Sequence, residues 1–264
     1  MITTMLLDVD IPIYQLAAKA QEENPSWEDG TMQLEVKSID EVGAELDKHI
    51  EYLRRRVGAD DVVACLSEPD REKNWRRLVL PTYKNKRPSG VAIPVLREAL
   101  TQYVANNYEF YLNPTLEGDD VLGILATNRK VIKGTKIIVS ADKDLKTIPS
   151  REDSHNLMFN PDKDSEPYFN YEWLADWYWM HQTLIGDKTD GYDGLPKCGA
   201  VRSLQVLDTP KPGNTVDVLW PKVVAEYEAK GSTESAALIQ AQVARICRNE
   251  DYNFKTKRAI PWKP

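Results

Sequence analysis

The sequence predicts an α/β fold, a mainly parallel sheet flanked by helices, followed by a smaller helical unit. Three observations predict it. Short apolar runs alternate with helical patterns through the first part of the chain, as in parallel sheets covered by helices. From Tyr171 onward the periodicity is helical, broken by one glycine-rich turn, GDKTDGYDGLPKCG. Acidic clusters fall just after apolar strands or at a helix start, where open parallel sheets place their sites.

The elements follow in order. MLLDVD reads as a buried strand ending in acid, and 12–22 as a helix that tolerates Pro12 in its first turn. A polar turn over 24–30 leads to MQLEV, a short strand. Apolar residues at Val42, Leu46, Ile50, Leu53 and Val57 have helical spacing, with Asp40 as the expected cap of a helix over 40–57. DVVACL is a strand. The stretch 67–92 is polar, basic and irregular, and is expected to be mobile. A helix over 93–107, the strand YEFYL, a helix over 117–131 and the strand KIIVS follow. Later helices are expected at 171–185, 199–207, 215–229 and 233–248, and NFKTKRAIPWKP as an extended basic tail. The predicted division is 1–168 and 169–264.

Composition narrows the function. The chain has 264 residues, 42% hydrophobic, enough for a sizeable core and too many apolar residues for a disordered chain. No apolar run approaches the roughly 20 residues that span a bilayer. The opening apolar stretch contains Asp8 and Asp10 and lacks a basic flank, so it does not read as a secretory signal, and a cytoplasmic protein is expected. Three cysteines without CxxC spacing and three scattered histidines argue against a disulfide framework or a zinc site. Net charge is −7, with 34 basic and 41 acidic residues, which argues against a uniformly basic nucleic-acid binder. The basic residues nevertheless crowd 71–87: Arg71, Lys73, Arg76, Arg77, Lys84, Lys86 and Arg87.

Four stretches carry the chemistry: LLDVD, LEGDDVLG, VSADKDL and IGDKTDG. They hold Asp8, Asp10, Glu117, Asp119, Asp120, Asp142, Asp144, Asp187 and Asp190. Glu117 and Asp120 share a helix face, being three residues apart, and Asp187 and Asp190 have the same spacing. Carboxylates packed together without cations repel and raise one another's pKa. An oxygen-only set suits Mg²⁺ or Mn²⁺, and two such ions serve phosphodiester hydrolysis. Taken singly, each cluster is as readily a helix cap or a solvated loop.

NWRRLVLPTYKNKRP mixes phosphate-binding Arg and Lys with aromatic residues that stack on exposed bases. Lys84 or Arg87 is placed to stabilise charge on a transferring phosphoryl group. Gly191, Gly194 and Gly199 precede a helical pattern, an arrangement that presents backbone N–H groups to a phosphate. A solvated loop and a plain connector are the respective alternatives.

Together these motifs resemble the 5′→3′ exonuclease and flap-endonuclease superfamily, in its order: LLDVD, YKNKR, EGDD, SADKDL, GDKTDGYDGLPKCG. The likeness covers most of the chain, and with the late YNF and W-x-P it most resembles the compact exonucleases of short-tailed phages. The resemblance implies a PIN/FEN-like nuclease domain and a helix-three-turn-helix over about 184–207 that grips duplex DNA. It implies Asp8, Glu117, Asp119, Asp120, Asp142, Asp144, Asp187 and Asp190 as ligands of two Mg²⁺ or Mn²⁺ ions. Catalysis would rest on Asp8, Lys84, Arg87, Asp120 and Asp142. DNA contacts would come from Arg76, Tyr83 stacking near the cut, Lys84, Lys86, Arg87, and the turn residues Gly191, Gly194, Lys197 and Gly199, where relatives also hold K⁺. Implied substrates are duplex DNA with 5′ ends, 5′ flaps and RNA–DNA hybrids.

Three departures stand out. Ser67 occupies the position after the second long strand where relatives often carry Asp, with Glu68 or Asp70 as substitutes. Lys197 replaces a glycine of the turn, so its geometry is expected to differ. The stretch after Arg87 is too short for a tall arch. A DNA-binding paralogue without catalysis, a PIN-type ribonuclease and a scaffold remain alternatives. The first gains nothing from clustered negative charge near phosphate.

Overall fold

The computed structural model describes residues 2–25, 31–85 and 93–264. The chain runs β1 (Thr3–Asp8), α1 (Asp10–Lys19), β2 (Gln21–Pro25), β3 (Met32–Val36), α2 (Ile39–Arg56), β4 (Asp61–Leu66), α3 (Arg76–Val79), α4 (Arg97–Asn107) and β5 (Glu109–Leu112). It continues with α5 (Gly118–Thr127), β6 (Thr135–Val139), β7 (Asn156–Phe159), α6 (Glu172–Ile185), α7 (Ala200–Leu207), α8 (Val216–Ala229), α9 (Glu234–Ala244), β8 (Tyr252–Asn253) and β9 (Arg258–Ala259).

The main sheet has the order β5-β4-β1-β6-β7, and every pairing in it is parallel. Its strands are apolar on both faces because both faces are covered. Met5 and Leu7 of β1, Ala64 and Leu66 of β4, and Ile137 and Val139 of β6 join one core with α1, α2 and α4. The alternate residues Leu6, Val63, Cys65 and Ile138 join a second core with α5 and the late residues Ile246, Cys247 and Tyr252. The chain builds outward from β1 through β4 to β5, then crosses to β6 on β1's other side. That reversal opens a crevice beyond the carboxyl ends of β1 and β6.

Helices α6 to α9 pack a third core around Trp179, Leu184, Leu219, Val223 and Tyr227. Tyr83 joins it from the segment that precedes Lys86, so the basic segment is anchored here. The expectation of a mobile loop fails through residue 85. Residues 71–73 form a 3-10 turn, α3 follows, and Asn74, Trp75, Arg76 and Tyr83 are buried. Lys86, Arg87 and the short stretch after them lie outside the described residues, as does most of the polar turn over 24–30.

Three further expectations need correction. Ser38, not Asp40, caps α2, through a reciprocal pair with Glu41 that satisfies two helix-start donors. Helix α9 stops at Ala244, and Arg245 to Arg248 turn away from it into the second core. The last residues are not a free tail. Strands β8 and β9 pair antiparallel, and Trp262 lies edge-on to Trp179 at 4.9 Å and to Trp220 at 5.1 Å. Among the described residues no helix is long and apolar enough to cross a membrane.

Candidate metal-dependent active site

A cleft of about 700 Å³ opens over the carboxyl ends of β1, β4 and β6. Its lining includes Asp8, Asp10, Glu117, Asp119, Asp142, Asp144, Asp187 and Asp190. Each arrives from a different local cause. Asp8 ends β1, and Asp10 opens α1. Glu117 precedes α5 and Asp119 lies in its first turn. Asp142 and Asp144 follow β6 in a tight turn in which the Asp144 N–H donates to Asp142 Oδ1 at 2.8 Å. Asp187 follows the end of α6, its Oδ1 accepting from the Thr189 and Asp190 N–H groups.

Ser140 ties two of these stretches together. Its hydroxyl donates to Asp8 Oδ2 at 2.7 Å, and its oxygen accepts from the Asp142 N–H at 3.0 Å. Gln182, from α6, donates to Asp144 Oδ1 at 2.6 Å. Lys143 donates to Asp187 Oδ2 at 2.9 Å. Sequence reasoning missed all three. Ser140 had a signal, sitting two residues before Asp142. Gln182 had none, because its partner lies 38 residues away.

Ser67 resolves the first departure. Its hydroxyl accepts from the Gly118 N–H at 2.8 Å, and its own N–H donates to Asp10 Oδ2 at 3.1 Å. Asp10 thus brings a carboxylate to the end of β4. Glu68 and Asp70 also line the cleft, but both lie within 4 Å of Lys73.

Asp120 and Arg76, predicted at the site, are not in the cleft. Asp120 is fully buried behind α5 and accepts two guanidinium bonds from Arg76, both at 2.7 Å. Its oxygens also take the Trp75 indole N–H and the Cys247 N–H at 3.0 Å. With five donors on two oxygens, the fifth being the Glu117 N–H at 3.4 Å, Asp120 is structural rather than a metal ligand or catalytic group. Arg76 is equally buried and also donates to the carbonyls of Val243 and Arg245, satisfying acceptors left open at the end of α9. It locks the sheet to the helical unit and does not face DNA.

Tyr83 is also corrected. It is 3% exposed, and its hydroxyl donates to Glu117 Oε2 at 3.0 Å and Asp190 Oδ2 at 3.2 Å. It positions two carboxylates instead of stacking on a base. Lys84 does reach the cleft. Its ammonium bonds Glu117 and lies 3.6 Å from Asp190, while its N–H donates to the Asp190 carbonyl.

The glycine turn is used differently from expectation. Gly186 (φ +70°) and Gly194 (φ +65°) lie back to back, so close that a Cβ on Gly194 would sit 2.4 Å from Gly186 N. The Gly194 N–H is taken by Gln240 at 2.8 Å and is not offered to a phosphate. Gly191 is buried against the backbone of Thr82 and Lys84. Lys197 and Gly199 are exposed, and Lys197 adopts φ +61°, the left-handed conformation that a glycine would supply. The substitution therefore keeps a glycine-like backbone there.

The electrostatics are those of a crowded acidic site. Burial pushes Asp8 up to about 7, with Asp10 and Asp142 adding repulsion against its bond from Ser140. Burial raises Asp119 well above the carboxylate range, with Asp8 and Asp142 adding to it. Asp144 is pushed to about 6 by burial and then by Asp142. Burial would also raise Glu117, but Lys84 and Arg76 overcome it and hold Glu117 at about 2. As the side chains stand, no three acidic groups among the described residues close on one point. Lys84 and Lys143 occupy the spaces between them.

The donor set fits hard divalent cations. All its groups are oxygens, and a dication would offset both causes that raise Asp8, Asp119 and Asp144. An open parallel α/β sheet with this all-oxygen cleft defines a phosphodiester hydrolase of the metal-dependent type.

The comparisons agree. The chain is 31% identical to the exodeoxyribonuclease of Enterobacteria phage T3, aligning 98% of this chain with 92% of that protein. It is 30% identical to the exonuclease of Escherichia phage T7, over 98% and 93% of the two chains. Its fold is similar to the bacteriophage T5 flap endonuclease in complex with DNA and metal ions (TM-score 0.56, 14% identity, covering 92% of this chain and 88% of that one). No family model matches the chain. The chain belongs to the 5′→3′ exonuclease and flap-endonuclease superfamily, alongside these phage exonucleases, and is a nuclease.

Proposed function

We propose that this chain is a Mg²⁺- or Mn²⁺-dependent 5′→3′ exodeoxyribonuclease that hydrolyses phosphodiesters from the 5′ ends of duplex DNA. The reading includes 5′ flaps and the RNA of RNA–DNA hybrids as further substrates, and phage DNA replication or host DNA degradation in the host cytoplasm as its setting. The direction of digestion rests on the family. The chemistry is supported by one observation: Asp8, Asp119 and Asp142, from two strand ends and a helix start, lie close enough that the Asp142 charge adds to the raised proton affinity of Asp8 and Asp119.

Asp8, Glu117, Asp119, Asp142, Asp144, Asp187 and Asp190 would hold two divalent ions. When bound, such ions supply an activated water and neutralise charge at the leaving oxygen. Ser140 fixes Asp8 relative to Asp142, and Gln182 fixes Asp144. Tyr83 holds Glu117 and Asp190 in place. Lys84, tied through its backbone to Asp190, presents its ammonium to the non-bridging phosphoryl oxygens. Arg87 and Lys86, outside the described residues, are read as further phosphate contacts. The turn over 186–199 is read as the duplex-binding element, with Lys197 and Gly199 facing the backbone and K⁺ as its monovalent ion.

The test uses duplex DNA labelled at either end, with EDTA, Mg²⁺ or Mn²⁺. Release of the 5′ label as short products only with metal is the expected result. Binding without cleavage under every metal would instead favour a catalytically inactive DNA-binding paralogue.

A further inference from the structure

A row of aromatic rings runs along α6 and ends at the rim of the cleft. Trp173, Trp177 and His181 are four residues apart and so share one face of the helix. Tyr171 stacks on Trp173 with ring centroids 5.7 Å apart and planes at 18°. Trp177 stacks on His181 at 5.0 Å and 10°. Tyr178 carries the row to the cleft, its ring 6.2 Å from His181 and 5.7 Å from the Lys146 ammonium. One residue beyond His181, Gln182 bonds Asp144 inside the active site.

Core packing does not account for the outer half of this row. Trp177 packs on the third core and donates its indole N–H to the Asp208 carbonyl. Among the described residues, Tyr171 and Trp173 join none of the three cores, and Tyr171 is 54% exposed. Flat rings held parallel, with Tyr171 exposed and Trp173 half-buried, are what single-stranded nucleic acid uses for base stacking, which tolerates any sequence. Lys146 is exposed beside the cleft end of the row and supplies charge for a phosphate backbone. From Tyr171 to His181 the helix rises about 15 Å, a span for about four stacked nucleotides.

We propose that this aromatic row binds single-stranded DNA, namely the complementary strand that digestion leaves unpaired. The inference rests on the nuclease reading for the source of that strand. Digestion from a 5′ end bares the opposite strand beside the cleft. Stacking that strand on α6 holds the enzyme at the junction between rounds of cleavage.

The test is fluorescence anisotropy of a labelled oligothymidylate in EDTA, with the full chain and with the double variant Tyr171→Ala/Trp173→Ala. The full chain is expected to bind it, and the variant to bind at least about tenfold more weakly. The variant should keep its melting temperature and its initial cleavage of blunt duplex, but digest long duplexes in shorter runs. Equal binding by both proteins, or none by the full chain, overturns the proposal whatever the cleavage result. Binding that depends on Tyr171 and Trp173 in a protein that cleaves nothing upholds the strand site and defeats the nuclease reading.

Discussion

Two aspartates from different acidic motifs have opposite roles, and only their surroundings separate them. Asp142 is partly exposed in the cleft. Asp142→Asn is expected to lower cleavage by at least about a hundredfold with little change in melting temperature, read by label release and thermal denaturation. Asp120 is expected to behave the other way. Asp120→Asn removes the main counter-charge of the buried Arg76 guanidinium and leaves it only Glu117, at a cost of about 3 kcal/mol or more. In a chain of this size that is a drop of roughly 10 °C. A stable but inactive Asp120→Asn protein would return this residue to the catalytic set. Gln182 gives a subtler outcome. With Gln182→Leu, Asp144 loses its donor, so half-maximal activity should need more Mg²⁺ while the rate at saturating Mg²⁺ is kept. An unchanged Mg²⁺ titration would remove Gln182 from the site.

At the scale of elements, the sequence was most legible where burial dictates pattern. The apolar runs of β1, β4 and β6 and the stripe on α2 each answer to one covered surface. Strand β7 escaped notice although β5, equally short and at the other edge, was read: NLMF has one aromatic residue, whereas YEFYL has three strand-favouring ones. The end of α9 was missed because it is set by Arg76, 169 residues from the Arg245 carbonyl it holds. The site followed the same division. Carboxylates at strand ends were legible from local order, whereas the inward turn of Asp120 depends on Trp75, Arg76 and Cys247, which no local pattern brings together. The glycine turn carries a prediction of its own. Lys197 holds a left-handed backbone that costs a side-chain-bearing residue about 1 kcal/mol. Lys197→Gly is therefore expected to leave the fold at least as stable while weakening duplex binding through the lost charge. Chemical denaturation and a duplex-binding titration would read the two effects, and unaltered duplex affinity would exclude Lys197 from the DNA surface.

For the whole molecule, the acidic cleft makes stability depend on pH and metal together. Asp8 is held at about 7 and Asp144 at about 6, against 3.8 when unfolded. A raised acid binds its proton more tightly in the folded state. Its contribution is present at low pH and is lost as pH rises from 3.8 to about 7. Glu117, held at about 2, acts in the opposite sense, but its contribution is lost only as pH falls below 4.5. Without metal, stability should therefore decline from pH 4 toward neutrality as far as these groups control it. Mg²⁺ should raise the melting temperature more at pH 8 than at pH 5. Equal shifts at both pH values would mean that the cleft carboxylates do not take the ion. The ion pair between Arg76 and Asp120 also joins early and late parts of the sequence. Its guanidinium grips carbonyls at Val243 and Arg245, close to the end of the chain, while β1 at the sheet centre waits for β6. A ribosome that has made only the first half of this protein has made no working blade. The Arg76 and Asp120 pair is complete only once the segment carrying Val243 and Arg245 has been made.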